Sequence, residues 1–260
     1  MSEELPYDAI AHIRTDGVRL IDILVDYGLT ADVPSCPGWT LGDLGWHIGR
    51  VWEFWGTVVA DRITDVEQVK QLDRNPARPA DDVLIDWITA AHTALYSALI
   101  DSRTGRPVWT WAGEHDVAWV RRRMTQETAV HRWDAANTVG RPYTIPTAVA
   151  ADGIDEFLTW HARLADGADP VGGSVHIDCT DTNVDVAEGT DDRSKVDGEW
   201  LITALAADGA TFTRGRGAGD VSIRGTAADV LLWLWGRDAG ALQFVGDESI
   251  AQRLREAIDR

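Results

Sequence analysis

Glu127 and His131 stand four residues apart in a segment whose apolar residues Val120, Met124 and Ala135 recur at helical spacing. That spacing predicts a carboxylate and an imidazole stacked one turn apart on a single helix face. The face is the apolar one, where an unpaired carboxylate is strongly unfavourable, so something must neutralise it. His47, three residues after Leu44 and four before Val51, lies on the inward stripe of a different helix. Helix packing can bring it to the same place. The resulting His, Glu, His set of nitrogen and oxygen donors, with positions left open, suits a catalytic divalent metal, zinc being the usual occupant. The spacing is not HExxH, and E-x-x-x-H pairs also occur as surface contacts or as core hydrogen bonds.

Other residues are weaker candidates. Asp134, three residues after His131, either orients its imidazole or accepts from a backbone amide near the helix end. Cys36 precedes a turn and has no basic neighbour in sequence to lower its pKa, which argues against a nucleophile. His12, His92, His115, His161 and His176 lack an acidic or histidine partner at ligand spacing and read as surface or satisfied core residues. Ten of the thirteen tryptophans precede residue 166. Most must be core, yet Trp39, Trp46, Trp52 and Trp55 cluster around His47, and Trp46, Trp52 and Trp55 are the candidates for lining an organic-substrate pocket. Arg121, Arg122 and Arg123 are consecutive, face different ways on a helix, and read as a solvated face.

Helices must carry these groups. Ile10, Ile13, Gly17, Leu20, Ile21 and Leu24 mark a first helix ending near Gly28. Thr40 can cap a second, with Asp43 completing a capping box and Leu41, Leu44, Ile48, Val51 and Trp55 forming its inward stripe to about Arg62. Residues 81–100 read as a third helix and 117–139 as a fourth, with Gly140 and Pro142 as a stop. The intervening 103–116 is expected to be a long aromatic loop, and a further helix over 147–164 leads out of the bundle. Beyond Asp166 the character changes, with nine acids against two bases over 166–197 and alternating strand candidates at 174–179, 200–205, 210–214 and 221–223. Residues 227–235 and 249–258 have helical spacing. The expected division is therefore 1–165, a four-helix bundle, and 166–260, a small unit, an α+β chain in all.

Composition excludes several classes. The 260 residues carry 24 Lys and Arg against 42 Asp and Glu, a net charge of −18 that repels nucleic acid and anionic membranes alike. Two cysteines are too few for a disulfide framework, the start lacks a secretory signal, and no apolar run approaches the ~20 residues of a membrane span. A cytoplasmic protein with no nucleic-acid or membrane partner is expected. No repeat or low-complexity tract is present.

The segment Val33 to Ile48, with Cys36-Pro37-Gly38-Trp39-Thr40 and Asp43-Leu44 leading into His47-Ile48, resembles the first signature of the mycothiol-dependent maleylpyruvate isomerase family. Glu127 to Ala135, with His131-Arg132-Trp133-Asp134, resembles the second. The resemblance implies a DinB-like metal-binding bundle with its metal ligands at His47, Glu127 and His131. It also implies a sterol-carrier-like second domain ending in a helix that matches Val230 to Arg237. It further implies mycothiol as thiol cofactor or cosubstrate and a small electrophilic or unsaturated acid as substrate. A metal lowers the pKa of a bound thiol, and the thiolate adds to an activated double bond, permits rotation and leaves again. The same thiolate would make a stable conjugate in an S-transferase, and no residue separates the two. A non-catalytic metal- and ligand-binding protein is the alternative from another class. A carboxylate substrate needs a cation, for which Arg237 is the first choice and Arg224, Arg216 and Arg214 the others. The cleft is expected near the domain junction.

Overall fold

The computed structural model describes residues 5–73, 77–182, 198–238 and 240–258. It divides into two compact units, Met1–Thr144 and Ile145–Arg260. Within the first, α1 (Ala9–Tyr27) is opened by Asp8, whose carboxylate accepts from the Ala11 amide, and closed by Gly28 at φ 78. The Thr40–Asp43 capping box opens α2 (Leu41–Ala60) as the sequence predicts. A single turn, α3 (Val66–Val69), precedes α4 (Asp81–Ile100), and α5 (Val117–Thr138) is capped by Asp116, which accepts from the Ala118 and Trp119 amides.

α1, α2, α4 and α5 form the expected four-helix bundle, α2 lying against α4 and α1 against α5. The approach of α2 to its neighbours depends on glycine. A methyl at Gly45 would lie 2.8 Å from side-chain carbons of both Leu24 and Ile88, and one at Gly56 would lie 3.2 Å from the Leu95 Cα. Leu44, Ile48, Leu84, Ile88, Leu95, Val120 and Met124 fill the bundle core. α4 is long and apolar enough to cross a membrane by length and composition alone. Its Leu84, Ile88, Ala91, Leu95 and Leu99 are instead spent on the bundle interior.

The stretch 103–116 is not a loop. It contains a hairpin, β1 (Pro107–Thr110) with β2 (Gly113–Asp116), turning at Gly113 with φ 107. Strands of four residues are too short to show an alternation, and the aromatic residues Trp109 and Trp111 masked what there was.

In the second unit α6 (Thr147–Glu156) ends earlier than the expected 164, in a π turn over Phe157–His161. α6 packs on α7 (Ala227–Leu234) of that unit. The compact unit therefore begins at Ile145, ahead of the change in composition at 166. Its sheet has the order β5-β4-β3-β6-β7, from β3 (Val175–Cys179), β4 (Glu199–Ala206), β5 (Gly209–Arg214), β6 (Val221–Gly225) and β7 (Gln243–Gly246). The β3–β6 pair is parallel and the others antiparallel. Val175, Ile177, Trp200, Ile202, Val221 and Ile223 are buried, with α7 and α8 (Glu248–Ala257) supplying further apolar residues. β7 escaped the sequence reading because only Phe244 of its four residues is even partly buried. The acidic tract through Gly189 lies partly outside the described residues. Bundle first and small sheet unit second make an α+β chain.

Candidate metal centre

Because Leu44 and Ile48 are fully buried, α2 is held with His47 turned toward α5. Met124 and Ala135, both fully buried, fix the opposing face of α5 that carries Glu127 and His131. His47 Nε2 lies 3.1 Å from Glu127 Oε1, and His131 Nε2 lies 3.3 Å from the same oxygen. The two imidazole rings meet edge to face at 4.9 Å. Trp39 flanks His47 at 5.0 Å between ring centres, and Arg50 Nη2 stands 3.5 Å from His47 Nδ1.

A partner unforeseen in the sequence completes the carboxylate: Arg123 Nη2 donates to Glu127 Oε2 at 2.6 Å. Its side chain is only 6% exposed, so it is no solvated arginine. Nor is Arg121, whose Nη2 donates to the Leu99 and Ser102 carbonyls at 2.6 and 2.9 Å. The usable signal was the i,i+4 step from Arg123 to Glu127. On the other side, His131 Nδ1 donates to Asp134 Oδ2 at 2.9 Å, and the Cys36 thiol reaches the same oxygen at 3.6 Å. Asp134 is thus placed within hydrogen-bond reach of the His131 ring.

These contacts set the protonation states. Burial pushes the Glu127 carboxyl up, but hydrogen bonds from His131 and His47 and the charge of Arg123 outweigh it and hold it well below the usual range. Burial pulls His131 down, yet hydrogen bonds to Asp134 and Glu127 win and raise it to about 9. In the absence of metal, His131 therefore carries a proton at neutral pH.

The donor set fits a divalent metal. The ligating atoms of His47, Glu127 and His131 lie within 4.8 Å of one another. Zinc bonds of about 2.0–2.1 Å in tetrahedral geometry separate ligand atoms by about 3.3 Å, close to the 3.1 and 3.3 Å found here. The atoms of Cys36, His131 and Asp134 also lie within 4.8 Å of one another, on the Nδ1 side of the shared ring.

Residues 10–136, which contain all of these groups, match the family model described as the mycothiol maleylpyruvate isomerase N-terminal domain. The match is to that N-terminal domain and spans 127 of the 260 residues. Two solved structures share the fold: a crystal structure of the mycothiol-dependent maleylpyruvate isomerase, with a TM-score of 0.54, and one of a histidine-to-alanine mutant of it, with 0.58. Both are 14% identical and cover 91% of each chain, so the likeness to this isomerase extends over nearly the whole fold. No curated protein sequence matches.

Within the first unit the tryptophans divide. Trp46 is half-buried, lies under the Arg50 guanidinium at 5.0 Å, and has an indole N–H that is buried without a hydrogen-bond partner. Trp52 is fully buried, donating to Thr128 Oγ1 at 3.1 Å and lying 4.8 Å from the His92 ring. Trp55 is buried in an aromatic group with Trp109 and Trp119. Trp52 and Trp55 thus take packing positions.

The five other histidines bind neighbours. Buried His92 contacts the Ile13 carbonyl at 3.0 Å, His176 lies between Ser222 and Glu199, and His12, His115 and His161 pack on aromatic rings. Arg237 belongs to the second unit, where its Nη1 donates to the Trp235 carbonyl at 2.7 Å. Of its alternatives, Arg224 pairs with Asp178, Arg214 with Asp155, and Arg216 lies 3.7 Å from Glu199.

Proposed function

We propose that this chain is a cytoplasmic enzyme dependent on a divalent metal, zinc, and on a low-molecular-weight thiol, mycothiol. Its substrate is a small electrophilic or unsaturated acid, and its reaction is cis–trans isomerisation of the maleylpyruvate isomerase type. The observation that carries this reading is the convergence of two imidazole Nε2 atoms on one oxygen of a buried carboxylate, at 3.1 and 3.3 Å. His47, Glu127 and His131 would hold the metal, which supplies Lewis acidity that lowers the pKa of a thiol and so provides a thiolate at neutral pH.

The residues of the chain each have a task in this scheme. Asp134 holds the Nδ1 proton of His131, which leaves the Nε2 lone pair as the ligand. Glu127 has both oxygens engaged, Oε1 by the imidazoles and Oε2 by Arg123. It is therefore poorly placed to take a proton from water, which favours thiol chemistry over hydrolysis. Trp39 flanks His47 and shields that side. Arg237, whose guanidinium can grip a carboxylate through two parallel hydrogen bonds, is the proposed substrate anchor.

The test is an assay of unsaturated acids with zinc-loaded protein, with and without mycothiol and chelator. Turnover that needs both metal and thiol and returns the thiol unconsumed supports the isomerase. Stoichiometric loss of thiol would indicate the S-transferase. Ester or amide hydrolysis with metal alone would overturn the reading.

A further inference from the structure

The two oxygens of Glu127 have different neighbours. Oε1 faces both imidazole Nε2 atoms, while Oε2 receives Arg123 Nη2 at 2.6 Å from one helical turn earlier. The Arg123 side chain is nearly without exposure, and a guanidinium so placed is tolerable only with a fixed counter-charge. A charge-assisted hydrogen bond of this length holds the carboxylate in one orientation.

We propose that Arg123 is a positioning residue that reserves Oε2, making Glu127 a one-oxygen ligand, and offsets its charge so that the metal centre accepts two anions, a thiolate and the substrate carboxylate. The proposal rests on the metal reading above and deepens it. Two neutral imidazoles, the Glu127 and Asp134 carboxylates and the Arg123 and Arg50 guanidiniums sum to no charge. A divalent ion among them keeps its two positive charges for incoming ligands. Without Arg123 the same carboxylate could close on the metal through both oxygens, taking up a position and one unit of charge. The centre would then have room and charge for one anion rather than two.

Cobalt makes this measurable without turnover, because its visible bands weaken as coordination rises from four. Wild type, Arg123→Lys and Arg123→Met are loaded with one equivalent of Co2+ and titrated with azide. Wild type should show intense bands and bind azide. Arg123→Met should bind Co2+ at the same stoichiometry with weaker bands and an azide affinity lower on the order of tenfold. Arg123→Lys keeps the charge without the planar grip, so it should show weaker bands and near-wild-type azide affinity. Unchanged bands and unchanged azide affinity in Arg123→Met would overturn the proposal. If Arg123→Met fails to fold by circular dichroism, Arg123→Lys decides through its bands, wild-type intensity counting against. Failure of wild type to bind Co2+ would instead overturn the metal reading, and the proposal with it.

Discussion

His131 Nδ1 lies 2.9 Å from Asp134 Oδ2, a carboxylate with no solvent exposure, and this contact fixes which ring nitrogen faces Glu127. With Nδ1 committed as a donor, Nε2 is the ligand. Asp134→Asn should therefore lower zinc affinity by about 10- to 100-fold while keeping one site, whereas His47→Ala, Glu127→Ala and His131→Ala should lose stoichiometric zinc. Competition with a chromophoric chelator measures this. Full zinc occupancy in all three alanine variants would eliminate the site.

Proton competition follows from the same contacts. His131 is held protonated to about 9, so zinc binding at neutral pH displaces a proton from it. Apparent zinc affinity should rise from pH 6.5 toward 9 and then flatten, with proton release measurable in weakly buffered solution. A flat profile across that window would contradict the assignment of His131 as ligand.

A second titration concerns stability. Burial holds His92 below its ordinary value of 6.5, its ring lying between Trp52 and the Ile13 carbonyl. The unfolded chain takes up this proton first as pH falls, so the stability tied to neutral His92 is present above about 6.5 and declines below it. Comparison of urea unfolding for zinc-free wild type and His92→Gln should show their difference shifting in favour of the variant in acid. A pH-independent difference would refute this.

Trp52 offers a separate test of packing against pocket. Its indole N–H donates to Thr128 Oγ1 and its ring is fully enclosed, so Trp52→Phe should cost about 1–3 kcal/mol of stability and leave zinc stoichiometry intact. A change in substrate preference with no loss of stability would return Trp52 to the pocket. Arg237→Ala should raise KM for a carboxylate substrate, also with zinc intact. If KM is unaffected, Arg214, Arg216 and Arg224 become the next candidates.

Much of the site was legible because helices convert spacing into direction. His47 between Leu44 and Val51, and Glu127 with His131 among Val120, Met124 and Ala135, share the inward stripes of their helices. Arg123 was legible as a partner only in part. Its i,i+4 step to Glu127 singles it out among the three consecutive arginines, but only the packing of α5 shows that its guanidinium is enclosed there. Cys36 and Asp134 meet across 98 residues, a distance in sequence at which no local pattern operates. The hairpin 107–116 and β7 were missed for a shared reason, since four-residue strands carry too few positions to display a period of two.

X-ray absorption at the zinc edge, with and without thiol, tests thiol chemistry at this centre most directly. Zinc-loaded protein should show a shell of nitrogen and oxygen alone at about 2.0–2.1 Å, and addition of mycothiol should introduce one sulfur at about 2.3 Å. A sulfur present before any thiol is added would implicate Cys36 as a ligand. A nitrogen and oxygen shell that saturating thiol leaves unchanged would contradict the proposed thiolate chemistry outright.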